Sequence, residues 1–336
     1  MALVVRFGPG DAARCRFAVS PLQETMSALL TLVRPRRHAF YEPWLRSVRP
    51  AAAALDLNLL AMSASARGRG ADFLWPSPAG PTTTIDDDLA RVAASPPERV
   101  RIDLAEQAAR ADARTAPPAA LEVLTGDPVV ARDLLVVQQR AAWDVLVAPA
   151  WDRIRGALDA DISARSRQLA DGGLEQLFAH LHPRAVWRDD ALHLTGVTRE
   201  EVVELGGRGL VLVPSAFGWP DIGIGPTAPD ASTPPALVYP MLGAARLWET
   251  SPQPAAVARL LGAGRALVLA EAVVPSTTSG LSARLGLAPA TVSQHLGVLR
   301  DAGLVTARRT GREVYYGQTE LAAALLEANR LMGEPG

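Results

Sequence analysis

The chain has 336 residues, a formal charge of −1 and 49% hydrophobic residues, which is more than one domain usually takes and enough apolar side chain for sizeable cores. No uninterrupted apolar run reaches the ~18 residues of a membrane helix, and the opening MALVVRFGPGDAARCRF has no basic leader or small-residue cleavage site, so a cytoplasmic protein without a membrane partner is expected. All 34 basic residues are Arg; with abundant Ala, Gly and Pro this reads as the bias of a GC-rich genome, so only the placement of arginines carries information.

Residues 1–20 alternate in LVVRF and CRFAVS, predicting two short strands around the Gly8-Pro9-Gly10 turn. The single Cys15 excludes an internal disulfide. Its neighbours Arg14 and Arg16 could favour a thiolate, but a small residue on an early strand is the commoner explanation. Ser20 followed by Pro21 is a helix start, and PLQETMSALLTLV continues helically to Pro35. Proline-punctuated helices follow in YEPWLRSVRPAAAALDLNLLAMSA, then a loop, PSPAGPTTT, at 76–84. Asp86, Asp87 and Asp88 open the helix DDDLARVAA; they could ligate a metal, but acidic residues in a first turn are more often there because the helix dipole favours them. From 129 to 182 apolar residues recur at three- and four-residue spacing, the pattern of helices packed on a core. The period then changes. RAVWRDDALHLTG (184–196) reads as a hairpin turning at Asp189-Asp190, and EVVEL, GLVLVPS and PALVYP as strands. An α+β fold is expected, with one domain over 1–250, a boundary at TSPQPAAV (250–257) and a second domain over 251–336.

In that second domain AAVARLLG and AGRALVLAEAVV are helical up to Pro275. Ser276 or Thr277 caps the short helix TTSGLSARLG, which closes on Gly286. The link LAP leads into ATVSQHLGVLRDAG, with Pro289 in its first turn and Gly303 at its end. Helix, short turn, helix is the arrangement whose second member enters the major groove of DNA. LVTARRTGREVYY then alternates around Thr310-Gly311 as a hairpin with Arg308, Arg309 and Arg312 near its tip, completing a winged helix, and TELAAALLEANRLM, capped by Thr319, closes the domain. Val292, Leu296 and Leu299 share one helical face and belong to the core. That leaves Thr291, Ser293, Gln294 and His295 for phosphates and base edges. Between Gly262 and Leu326 six Arg (265, 284, 300, 308, 309, 312) stand against four acids (271, 301, 313, 320). The excess is small, but three Arg on one hairpin can lie along a phosphate backbone. The DNA-facing set expected from both elements is Thr277, Thr278, Pro289, Ala290, Thr291, Ser293, Gln294, His295, Arg300, Arg308, Arg309, Arg312 and Tyr315.

Residues 258–327, about a fifth of the chain, resemble the ArsR-type winged-helix transcriptional regulators, on TTSGLSARLGLAPATVSQHLGVLRDAGLV followed by RRTGREVYY. The resemblance implies a sequence-specific regulator of transcription that binds an imperfect palindrome of double-stranded DNA as a homodimer, usually to repress. RFGPGDAARCRFAVSPLQET, LHPRAVWRDD and GRGLVLVPSAFGWP resemble the uncharacterised domain that precedes such winged helices in regulators from GC-rich bacteria. No ligand comes with that second resemblance.

Many such regulators sense metals. One familiar site puts cysteines on the first helix of the helix-turn-helix, here SGLSARLG, which has none. Another puts His, Asp and Glu on the closing helix, which has two Glu and no His. Neither position suits a transition metal. His180, His182 and His193 are the other candidates, although the two imidazoles of HLH diverge by roughly 200° on a helix and a polar helix end is the plainer reading. There is no phosphate loop, nucleophile elbow or metalloprotease helix, so neither an enzyme nor a cofactor is expected. The glycines of GGRGLVLVPSAFGWP and LGAGRALVLAEAV read as structural. All seven Trp (44, 75, 143, 151, 187, 219, 248) precede residue 250. Most of these Trp are expected in the core; the first domain is expected to sense a small-molecule effector, with a Trp-lined pocket one candidate for it, or else to need no ligand and enlarge a dimer interface or dock another protein. On the closing helix Leu321, Ala322, Leu325, Leu326 and Ala328 could cover the winged helix or pair with a second subunit. The resemblance favours pairing, jointly with the helices at 255–273.

Overall fold

The computed structural model describes residues 2–34, 39–64, 70–111, 117–196, 200–227, 233–248, 255–273, 275–310 and 313–331. The chain divides into two compact units, one of Met1–Arg34 with Val48–Met241, the other of Pro35–Ser47 with Leu242–Gly336.

The larger unit opens with β1 (Ala2–Arg6), β2 (Arg16–Phe17) and α1 (Pro21–Val33). Helix α2 (Glu42–Ala52) follows, of which Glu42–Ser47 counts with the other unit. Then come α3 (Asn58–Ala64), α4 (Ile85–Ala93), α5 (Pro97–Arg110), α6 (Pro118–Thr125), α7 (Pro128–Leu146) and α8 (Trp151–Ala179). The last third is β3 (Ala185–Arg188), β4 (Ala191–Thr195), β5 (Glu201–Glu204), β6 (Val211–Ser215), β7 (Gly223–Gly225) and β8 (Ala236–Pro240). The strands form two four-stranded sheets, β3-β4-β1-β5 and β2-β6-β8-β7, and β1–β5, β2–β6 and β6–β8 are parallel. Helices gathered around α7 and mixed sheets make the fold α+β.

Local chemistry explains the element ends. Ser20 accepts from the Gln23 N–H at 3.1 Å to cap α1. Thr84 and Asp87 form a capping box on α4. Asp189 and Asp190 both take positive φ (53° and 51°), which suits the two-residue turn of a right-twisted hairpin. The Asp86–Asp88 run is not a ligand cluster. Asp86 pairs with Arg140, Asp87 caps, and buried Asp88 accepts from Ser20 Oγ at 2.7 Å and Thr83 Oγ1 at 3.0 Å.

β1 and β2 stand in different sheets. The chain turns between them because Asp11 holds the Gly8 and Gly209 N–H groups, both at 2.8 Å, and the Arg16 N–H then goes to Leu210. The sheets share a core with the end of α8, which breaks at Gly172-Gly173 so that Leu177 and Phe178 join Leu3, Val5, Leu192, Leu194, Leu212 and Leu237.

Glu24 in α1 is buried, with both carboxyl oxygens 3.1 Å from the Ala216 nitrogen. Burial outweighs the hydrogen bonds from Ser215 and Ala216 and pushes its pKa from 4.5 up to about 8. The folded chain thus keeps a proton that the unfolded chain releases, and stability falls as pH rises from about 4.5 to about 8. Glu24→Gln is expected to flatten that decline in Tm against pH; an equally steep decline would acquit Glu24.

The smaller unit contains α9 (Ala244–Leu247), α10 (Ala255–Leu261), α11 (Ala263–Glu271), β9 (Ser276–Thr277), α12 (Thr278–Leu285), α13 (Pro289–Asp301), β10 (Val305–Thr310), β11 (Glu313–Gln318) and α14 (Glu320–Leu331). Its sheet runs β10-β11-β9. Leu267, Leu281, Leu285, Val292, Leu296, Leu299, Val305 and Ala322 build its core, on which Phe40 and Tyr316 also pack. Among the described residues no helix is long and apolar enough to cross a membrane.

Candidate nucleic-acid interface

Thr277 caps α12 by accepting the Gly280 N–H at 3.1 Å, which settles the choice between Ser276 and Thr277. Gly286 ends α12 in the left-handed region (φ 61°), and Pro289 opens α13 three residues later. Val292, Leu296 and Leu299 are buried, as their spacing predicts. The opposite face of α13 carries Ala290, Ser293, Gln294, Gly297 and Val298, of which all but the half-buried Gly297 are exposed. Thr291 and His295 are half-buried. His295 leans on α11, where a Cβ built on Gly264 would fall 2.6 Å from its Nε2. The absence of a side chain at Gly264 is what admits the imidazole. Val298 was not anticipated from composition, yet it stands one helical turn beyond Gln294 and is 44% exposed.

Arg300 is exposed and pairs with its neighbour Asp301 at 3.3 Å. Arg284 does not add to the exposed charge. It is buried against Glu271 at 3.0 Å, and burial lowers its pKa against the pull of that carboxylate.

β10 and β11 pair with Thr306 opposite Gly317, Arg308 opposite Tyr315 and Arg309 opposite Val314. Strand alternation therefore sends the two arginines to opposite faces of the hairpin. Arg308 lies with Thr306, Tyr315, Gly317 and Pro275 around an open hollow of about 320 Å³. Arg309 shares its face with Val305 and Tyr316, which lead into the core. Both arginines are exposed, while Thr277, Thr278 and Tyr315 are half-buried. Arg312 and Gly311 lie outside the described residues.

The histidines of the larger unit make separate contacts. His180 Nδ1 sits 2.9 Å from the Gln176 carbonyl, and His182 Nδ1 accepts the Arg184 N–H at 3.1 Å. Burial first, then the Arg184 charge, push the His182 pKa down to about 4. Among the described residues no three His, Cys, Asp or Glu gather as a metal site. Burial pushes the Cys15 thiol up to about 11, so its flanking arginines do not activate it. The tryptophans are dispersed. Trp143 meets Trp151, Trp187 meets Phe7 and Phe178, Trp219 meets His182, and Trp44 meets Trp248 in the smaller unit.

Residues 268–307 match the family model described as bacterial regulatory protein, arsR family. Residues 98–244 match a family of unknown function, DUF5937. Over 49 residues the chain is 47% identical to the biofilm growth-associated repressor of Agrobacterium fabrum, a stretch that is 14% of this chain and 42% of that relative. The chain thus spans less than half the length of that curated relative. No solved structure matches it. The smaller unit carries an ArsR-family helix-turn-helix, and the chain before it carries a DUF5937 region.

Proposed function

We propose that the protein is a DNA-binding transcriptional regulator that acts as a repressor, with α13 reading the major groove and the β10–β11 hairpin serving as a wing on the flanking backbone. The observation that carries this reading is the exposed polar face of α13, Ser293 and Gln294 with Ala290 and Val298 beside them, opposite a buried apolar stripe, in the segment that matches the arsR family. Hydroxyl and amide groups suit phosphates and base edges, and Val298 suits a thymine methyl. Thr277, Thr278, Pro289, Thr291 and Arg300 would take the backbone around that face, and Arg308, Arg309, Arg312 and Tyr315 would take it at the wing. His295, wedged against α11, orients α13 more than it reads a base.

A homodimer on a two-fold symmetric site fits the apolar residues left at the surface of the smaller unit. Leu260 on α10 is 70% exposed and Leu321 on α14 is 62% exposed, and the two helices pack together. Two recognition helices so joined would meet half-sites roughly 34–36 Å apart. For the larger unit the reading is a cytoplasmic sensor of a small molecule. Retention of the purified protein on its own upstream duplex in preference to a scrambled one tests the DNA-binding reading. Equal retention on both would sink it.

A further inference from the structure

A stretch far upstream of the arsR match, Pro35–Ser47, belongs to the same compact unit as that match. Its described part begins with a tight turn, Ala39–Tyr41, and runs into α2. Phe40 packs on the core of the helix-turn-helix. Tyr41, Trp44 and Leu45 are buried, and the Trp44 ring centre lies 5.9 Å from that of Trp248. Trp248 directly follows α9, which packs on α12 and contributes Ala245 to the core. Just before α9, the Gly243 N–H points to the Ala283 carbonyl at 3.5 Å, and its Cα lies 3.6 Å from where a Cβ on Gly286 would stand. Gly286 is the residue where α12 ends and the turn to α13 begins. Trp44, Trp248, α9 and that turn therefore form one contiguous series.

We propose that Phe40 and Trp44 are positioning residues for DNA reading, which hold α9 against the turn of the helix-turn-helix and so set the angle at which α13 is presented. The proposal rests on the DNA-binding reading above. The covalent link from α12 to α13 is just Gly286, Leu287 and Ala288, so a small shift at Gly286 reaches the start of the recognition helix, where it packs on α11 and α12, and base contacts tolerate little misplacement. Backbone contacts made by flexible arginine side chains tolerate far more. Loss of the Trp44–Trp248 contact should therefore cost discrimination between sequences rather than binding in general.

The test uses the full chain with Trp44→Ala and Trp44→Phe, read in two ways. One is amide exchange in α12 and the Gly286 turn; the other is the ratio of affinities for the preferred and a scrambled duplex. Trp44→Ala is expected to speed exchange at the turn and lower the affinity ratio, each about tenfold, the scale of one lost aromatic pair, with the affinity for scrambled DNA unchanged. Trp44→Phe should recover most of both. Unchanged exchange and an unchanged ratio in Trp44→Ala would overturn the proposal. So would equal losses on both duplexes with protection lost through α14, because that is loss of the unit's fold rather than of position. If the wild type does not discriminate between duplexes, the DNA reading fails by itself, and exchange at the turn still decides whether Trp44 holds it.

Discussion

Arg308→Ala is expected to weaken binding to every duplex alike and to lower the slope of log K against log salt by about one. A guanidinium that neutralises one phosphate releases about one counterion, and that release carries no sequence information. Arg308 stands on the outer face of the hairpin beside the Thr306 hydroxyl and the Tyr315 ring, over the floor that Gly317 and Pro275 leave open. A sugar–phosphate unit, apolar on one side and anionic on the other, suits that arrangement. Arg309 points to the other face, so one strand of backbone cannot take both residues from the same side, and Arg309→Ala should change the slope less. The comparison is made by anisotropy titration of both variants over a series of salt concentrations. An unchanged slope in Arg308→Ala would remove the outer face of the hairpin from the interface.

The second large effect is expected where α11 meets α12. Arg284 donates through Nε to the Glu271 carboxylate at 3.0 Å and through Nη2 to the Glu271 carbonyl at 3.1 Å, with side chains only 2% and 11% exposed. Removing one member of a buried pair leaves the other charge desolvated and uncompensated, a cost of about 3–5 kcal/mol. Glu271→Ala should therefore lower the opening free energy of α12 amides by about that amount, measured by hydrogen exchange in the full chain. Replacing both members with apolar residues, Glu271→Leu with Arg284→Met, should restore most of it, because the apolar pair needs no compensation. A loss below about 1 kcal/mol in Glu271→Ala would mean that water reaches Arg284 and that the pair does not join the helices.

The helix-turn-helix was legible in the sequence because each of its determinants is local. Gly286, Pro289 and Gly303 punctuate it, and Val292, Leu296 and Leu299 declare its buried face within one helix. The α+β class, the Asp189-Asp190 hairpin and the helix opened by the Asp86–Asp88 run were legible for the same reason. What could not be read depends on partners far away in the chain. β1 and β2 alternate like the arms of a hairpin, yet Asp11 bonds to Gly209 and sends β2 to another sheet. YEPW shows helical spacing but not that Trp44 meets Trp248 across some two hundred residues. That Trp143 pairs with Trp151 and Trp44 with Trp248 could not be read either, because composition counts residues without locating them. The place of His295 on α13 was legible, but only the close approach of Gly264 reveals its contact with α11. The opposite facing of Arg308 and Arg309, in contrast, follows from strand alternation alone and was available in the sequence.

The most direct measurement is fluorescence anisotropy of the purified wild-type protein on labelled DNA from upstream of its own coding sequence, titrated at several salt concentrations beside a scrambled duplex of equal composition. DNA reading by α13 requires tighter binding to the upstream duplex at every salt concentration, with both affinities falling as salt rises. Equal affinity for the two duplexes, or none for either, would contradict it.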